Sequence, residues 1–438
     1  MNSRLFALLL FAFTSILTPG QSQELKRKAN LGFGVRKISN SPGATVSRID
    51  EQSAAYKAGL RKGDRVFTIS GQSIEGESEL YKHIWAIRSN DIVKLEVAHA
   101  NEYKSNTIQF KAEAAPPETW GSLDAEMIQL INSSGDKLRG FVTKPKNSRG
   151  KIPAILFVSW LSCGTVEIGK SNDSWTRMLR DVAEKSGALF LRVEKPGVGD
   201  SEGPACMDCD LYTELDGYKA AFHYLKQRND VDTTNIIVFG ASLGGTLASI
   251  VGQDQPVKAY VSAVSVYKTW LEHMIEIERR RLQYAGHTQE EINQLMPLYI
   301  EFHTDYLIYK KTPKQIMEEK PHLASIWYDE PKHQYGRPAL FYQQAQAYNF
   351  MNTWSEVKQP VYVVAGEYDW IMTLEDSKLM VDMLNQKKQG QATLFVAKGM
   401  DHHWSVYNSP QEAFDETNGK YAEETVSAMI DWMKKMMK

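Results

Sequence analysis

The sequence predicts a mostly parallel α/β sheet with a helical insertion, preceded by a smaller, separate β-rich unit. Three observations lead there. Short stretches of alternating apolar and polar residues fill the N-terminal quarter of the chain. From Met127 onward, buried apolar runs alternate with amphipathic helices, as parallel sheets require. Between Val266 and Pro360 that alternation stops, and helix-start signals with frequent aromatics replace it.

At 438 residues the chain has room for two or three domains. A net charge of -2, with Lys and Arg scattered, provides no basic footprint for nucleic acid. Neither HExxH nor paired CxxC spacing occurs, so neither a metal nor a cofactor is expected. Arg4 followed by the apolar stretch Leu5 to Leu17 and the small residues Thr18 to Ser22 predicts a signal peptide over 1–22. It is too short to span a bilayer comfortably, and the competing reading is an uncleaved anchor. Nothing later reads as transmembrane, so a periplasmic or secreted protein is expected. In an oxidising space Cys163, Cys206 and Cys209 predict one bridge and one leftover thiol. Cys206-Met-Asp-Cys209 has redox CxxC spacing, but Asp208 and Asp210 surround Cys209 and work against a reactive thiolate, which favours a structural bridge.

The first unit has strands at Thr45–Ile49, Val66–Ile69 and Ile92–Val97, with helices at Ser53–Leu60 and Ser78–Arg88. Lys28-Ala-Asn-Leu-Gly32-Phe33-Gly34-Val35 and Ala58-Gly-Leu-Arg-Lys-Gly63-Asp64-Arg-Val66 carry a resemblance to the PDZ domain, assigned to 28–112. The resemblance implies a carboxylate-binding loop at Lys28, Gly32, Phe33 and Gly34, with a peptide C-terminus as the possible partner. Ala112-Glu-Ala-Ala-Pro-Pro117 is linker-like, and 113–125 are assigned to the linker. Stiffened by two prolines, it predicts a first unit that folds on its own, lies close to the second and supplies no catalytic group.

In the second unit, 126–438, Met127–Ile131 and Leu138–Val142 predict two strands about a Ser-Ser-Gly-Asp turn. Further strands are predicted at Ala154–Val158, Ala188–Val193, Asn235–Phe239, Ala259–Ala263, Val361–Val364 and Ala392–Val396, with a last helix over Glu423–Met437. The insertion, about 267–359, carries a capping box at Thr288 to Glu291 and an N-cap with proline at Thr312-Pro313. It reads as a helical lid.

Gly240-Ala241-Ser242-Leu243-Gly244 is a GxSxG motif placed between a buried strand and the helix Gly245–Val251. That context is the nucleophile elbow, a sharp turn that exposes a serine at the sheet edge. A serine hydroxyl needs a general base oriented by a carboxylate. Asp369 ends the loop after Val361–Val364, and His402 lies in the loop after Ala392–Val396, so the two can meet. Glu367 is the alternative acid and His403 the alternative base, while Asp401 reads as a loop-ordering residue.

Together these residues resemble the α/β-hydrolase superfamily from about Met127 to the C-terminus. Lys195-Pro-Gly-Val-Gly-Asp-Ser-Glu-Gly203 is similar to the family's RGxGxSxG loop, and Phe157 to Leu161 occupies the oxyanion-loop position. Ser159-Trp160 replaces the His-Gly of many members. The resemblance implies the backbone N–H of Leu243, and less directly that of Leu161, as oxyanion donors. In the topology it implies, a Cys163–Cys206 bridge ties two adjacent loops and leaves Cys209 free. The expected activity is an exported serine hydrolase of carboxylic esters acting on a small or acylated substrate. The alternatives are a serine peptidase, aminopeptidase-like or prolyl-oligopeptidase-like, and a non-catalytic adaptor working through its PDZ groove. An aminopeptidase needs a carboxylate for the substrate amine, and Glu272, Glu276 and Glu278 are the lid candidates.

Overall fold

Strand runs made entirely of apolar residues must be covered on both faces. The computed structural model describes residues 24–37, 42–100 and 104–438, and the predicted signal peptide, 1–22, lies outside the described residues. The main sheet contains β1 (Leu123–Ile131), β2 (Lys137–Pro145), β3 (Ile152–Val158), β4 (Leu189–Val193), β5 (Val231–Ala241), β6 (Val257–Ala263), β7 (Val361–Gly366) and β8 (Ala392–Ala397). Their spatial order is β8-β7-β6-β5-β3-β4-β2-β1. The pairs β1/β2 and β2/β4 are antiparallel, and every pair from β4 to β8 is parallel. Alternate side chains of each strand enter opposite cores. Ile155, Phe157, Ile237 and Phe239 pack with α1 (Ser174–Lys185) and the last helix, Glu423–Met437. Leu156, Val158, Ile236 and Val238 pack with α2 (Leu211–Gln227), α3 (Leu243–Val251) and the lid.

The strand order reverses at β3, with β4 on one side and β5 on the other. In open α/β sheets the crevice outside the carboxyl ends at such a point is where ligands bind. Above it sits the insertion, led by α4 (Trp270–Tyr284) and α5 (Gln289–His303). Both predicted helix starts form, with Thr288 and Thr312 accepting from the N–H groups of Glu291 and Gln315. The insertion is not wholly helical, because His333–Gln334 and Arg337–Pro338 form a hairpin whose two-residue strands are too short to show alternation.

In the N-terminal unit, strands Phe33–Lys37, Ala44–Ile49, Arg65–Ile69, Ile92–Ala98 and Ser105–Lys111 lie side by side in that order. The helices are Ala54–Lys57, shorter than predicted, and Glu77–Ala86. The Ala58 to Val66 motif has a plain mechanical reading. Gly59 and Gly63 take φ of 111° and 91°, and buried Asp64 accepts from the Arg61 N–H at 2.7 Å.

The two units are docked through charge. Arg27 pairs with Glu167 and, at 3.0 Å, with Asp200, and Lys28 pairs with Glu167 at 2.8 Å. Asp200 also accepts from the Lys28 N–H at 2.7 Å and from Arg139 Nε at 2.9 Å. Arg88 donates to the Ser201 carbonyl at 3.1 Å, and Trp85 packs on Cys163, Val198 and Cys206. The loop resembling RGxGxSxG is therefore the seat of the first unit. The linker is not loose either. Glu113–Ala114 pairs with Ala29–Asn30, and buried Arg192 donates to both oxygens of Glu118 at 2.7 and 2.9 Å.

Candidate active site

The elbow depends on three close approaches. A Cβ on Gly240 would lie 2.1 Å from the Gly244 carbonyl oxygen, one on Gly244 2.0 Å from the Val158 oxygen, and one on Gly245 2.0 Å from Ser265 Oγ. Only glycine lets α3 press this tightly on β3 and β5. Ser242 itself takes φ 56°, ψ -131°, a strained conformation that costs about 1–3 kcal/mol and lifts its side chain off the strand end.

The structure brings three sequence-predicted residues together. Ser242 Oγ is 3.0 Å from His402 Nε2, and His402 Nδ1 is 2.9 Å from Asp369 Oδ2. All three are buried. The other Asp369 oxygen accepts from the N–H groups of Ile371 and Met372 at 2.9 and 2.7 Å, which orients the carboxylate. Burial disfavours an imidazolium at His402, yet the charge and hydrogen bond of Asp369 outweigh it and raise the pKa above the ordinary histidine value. The alternatives are occupied elsewhere. Glu367 accepts from the Gly399 N–H at 2.8 Å and so ties the two loops together. His403 Nδ1 turns to Glu416 at 3.1 Å. Asp401 accepts from the N–H groups of His403 and Ser405 at 2.9 and 2.8 Å, and burial pushes its pKa up to about 6.

Leu161 and Leu243 flank Ser242 at the wall of the same cavity. Leu243 opens α3, where the first N–H groups have no intrahelical acceptor. Cys163 and Cys206 are joined, their Cα atoms 5.8 Å apart, and Cys209 is free and buried, with its pKa pushed up to about 12 by burial. Of the residues assigned to a carboxylate-binding loop, Lys28 faces Glu167 and Thr165 of the second unit. Gly32 sits against Ser53 and Gly34 against Arg48, while Phe33 is buried.

The cavity holds about 620 Å³ and is walled mainly by apolar groups, with Trp160, Trp175, Trp270 and Trp370 prominent. Trp160 and Trp175 lie with ring centroids 5.0 Å apart, and Trp175 meets His402 edge-on at 6.1 Å. His273 also lines it, and burial lowers its pKa to about 3, so it is neutral. The convergence of tryptophans from four distant segments has no signature in sequence spacing. Nor has Lys195, buried beneath the cavity wall, whose pKa burial lowers to about 8 against the pull of Glu214. The available signals were its place at the head of the loop similar to RGxGxSxG and the charged pair Glu194-Lys195 just after a fully buried strand.

A nucleophile elbow, a relayed histidine and a lid over a mostly parallel sheet define a serine hydrolase of the α/β-hydrolase fold. The chain belongs to the X-Pro dipeptidyl-peptidase (S15) family, whose profile matches residues 134–404, and its N-terminal unit matches the PDZ domain over 29–110. A search of curated proteins gives no match. Similar solved structures include an esterase of Pyrococcus furiosus, with 14% identity and TM-score 0.43 over 74% of this chain and 97% of that one. Carboxyl esterase 2 of Tuber melanosporum gives 16% and 0.46 over 74% and 90%. Est1E of Butyrivibrio proteoclasticus gives 18% and 0.44 over 71% and 98%.

Proposed function

We propose that the protein is an exported hydrolase that cleaves carboxylic esters with bulky, uncharged acyl groups through an acyl-enzyme on Ser242. The observation that carries the reading is the Ser242–His402–Asp369 relay opening onto an apolar cavity in which each wall carboxylate is already engaged. Ser242 Oγ attacks the carbonyl carbon as His402 Nε2 takes its proton. The tetrahedral oxyanion accepts from the N–H groups of Leu243 and Leu161. Collapse expels the alcohol, protonated by His402, and a water activated by the same imidazole releases the acid.

Ester is favoured over peptide by charge. Glu167 is held by Arg27 and Lys28, and Asp173 by Thr176 and Ser171. The lid acids are engaged as well: Glu272 caps Thr269, Glu276 binds Lys268, and Glu278 binds Arg281 and Tyr328. No free carboxylate awaits an α-amino group among these residues. The family's name keeps X-Pro peptidase activity as the second reading. Export is supported by the signal-like start and by the Cys163–Cys206 bridge. A peptide C-terminus at the PDZ unit is supported by the edge position of strand Phe33–Lys37.

The test is one panel of p-nitrophenyl esters of graded and aromatic acyl groups beside X-Pro p-nitroanilides. Higher kcat/KM on the bulky esters is expected, and preference for the anilides would move the protein to the second reading. Ser242→Ala and His402→Ala should abolish turnover and His403→Ala should not. Undiminished fluorophosphonate labelling of Ser242→Ala would remove Ser242 as nucleophile.

A further inference from the structure

We propose that Lys195 is a positioning residue of the oxyanion hole, fixing the peptide plane between Trp160 and Leu161 so that the Leu161 N–H faces the oxygen of the attacked carbonyl. The inference rests on the Ser242 reading and adds a residue that touches neither substrate nor triad.

The loop after β3 has no glycine between Val158 and Gly164, so its curvature depends on what holds its carbonyls. Its ends are anchored. Ser159 Oγ lies 2.6 Å from the Tyr218 hydroxyl, and Cys163 is bridged to Cys206. Between them, Lys195 Nζ donates to the carbonyls of Trp160, Leu161 (3.1 Å) and Ser162 (2.8 Å). An ammonium has three N–H donors, so these three consecutive carbonyls use them all. A trans peptide is planar, with its C=O and N–H pointing opposite ways. Drawing the Trp160 carbonyl inward onto a buried cation therefore turns the Leu161 N–H outward. Outward is the cavity, which Trp160, Leu161 and Ser162 line and Lys195 does not.

The charges around Lys195 show why its removal is tolerable. Glu214 lies 3.4 Å from Lys195 and 2.5 Å from Arg337, whose guanidinium also reaches the Cys206 sulfur at 3.0 Å. Two cations thus share one carboxylate. Taking Lys195 away leaves the Arg337–Glu214 pair intact and strands no buried charge. What is lost is the hold on three carbonyls.

The test uses the full-length protein and a p-nitrophenyl ester, with active sites counted by fluorophosphonate titration. Lys195→Met, and Lys195→Gln as the variant that keeps two N–H donors, are compared with the parent. Per titrated site, kcat of Lys195→Met should fall about 10²-fold, as for loss of one oxyanion donor. KM should hold, and Lys195→Gln should recover part of the rate. An alkylboronic acid, which forms a tetrahedral adduct with its oxygen in the hole, should lose affinity by a similar factor. The product carboxylic acid should not. An unchanged kcat per titrated site overturns the proposal. So does a parallel loss of both ligands, which would mean that Lys195 only supports the cavity wall. A parent protein that takes no label would overturn the Ser242 reading and this inference with it, whereas a labelled parent with an unimpaired variant overturns this inference alone.

Discussion

Replacing Arg27 with alanine removes its bonds to Glu167, to Asp200 and to the carbonyls of Ala115 and Pro116 in one step. Both acids are buried, with side-chain exposures of 5% and 0%. A charged hydrogen bond contributes about 1.5–3 kcal/mol net, so the two together would sum to roughly 3–6 kcal/mol. Neither carboxylate is stranded, however. Lys28 still reaches Glu167 at 2.8 Å and Arg139 still reaches Asp200 at 2.9 Å. The expected loss is therefore about 2–3 kcal/mol, below the roughly 3–5 kcal/mol for breaking a buried pair outright. At roughly 2.1 cal/mol/K of unfolding entropy per residue over 438 residues, that corresponds to a fall in Tm of about 2–3 °C, read by calorimetry. Because Glu167 also lines the cavity, KM for a bulky ester should rise while kcat holds. A double-mutant cycle with Glu167→Gln should give a coupling energy of about 1–2 kcal/mol. Unchanged Tm and unchanged KM in Arg27→Ala would refute the docked arrangement, and with it the role of Arg27 in holding Glu167 at the cavity wall.

Two further predictions follow from the site. His402 must be neutral to accept the Ser242 proton, and Asp369 raises its pKa, so the acid limb of kcat/KM should lie above the ordinary histidine value of about 6.5. Asp369→Asn should lower kcat by about 10⁴-fold and shift the limb toward acid, and an unmoved limb would assign it to another group. Breaking the bridge, whose cysteines are 43 residues apart, should cost about 4 kcal/mol by loop entropy and lower Tm. Non-reducing peptide mapping should link Cys163 to Cys206 and leave Cys209 alkylatable once the protein is unfolded. A Cys206–Cys209 link would refute this pairing.

Much of the architecture was legible because it is written in local pattern. The last helix, Glu423–Met437, coincides with its predicted span, and the elbow, the acid loop and the histidine loop follow the strands that carry them. Burial on both faces makes such strands stand out as apolar runs. That the units lie close was legible in the short, proline-stiffened linker, but the contacts that dock them were not, because Arg27 and Glu167 are 140 positions apart and each alone reads as a solvated surface charge. The contacts that hold the stiff linker were hidden for the same reason, since the partner of Glu118, Arg192, lies inside a strand that otherwise reads as apolar. The part played by Lys195, which heads the loop similar to RGxGxSxG, was not legible because its contacts are to backbone carbonyls, which carry no side-chain signature.

The clamp at Arg27 bears on how this molecule can be recombined. Interchangeable domains are cut at their linkers, and composition puts the cut at Pro116-Pro117. A chimaera made there, with a foreign N-terminal half, would discard Arg27 and Lys28 and leave Glu167, in the cavity lining, without either of its cationic partners. A graft that preserves the enzyme must carry Arg27 and Lys28 across with the C-terminal half, together with the Glu113–Ala114 pairing that holds them in place.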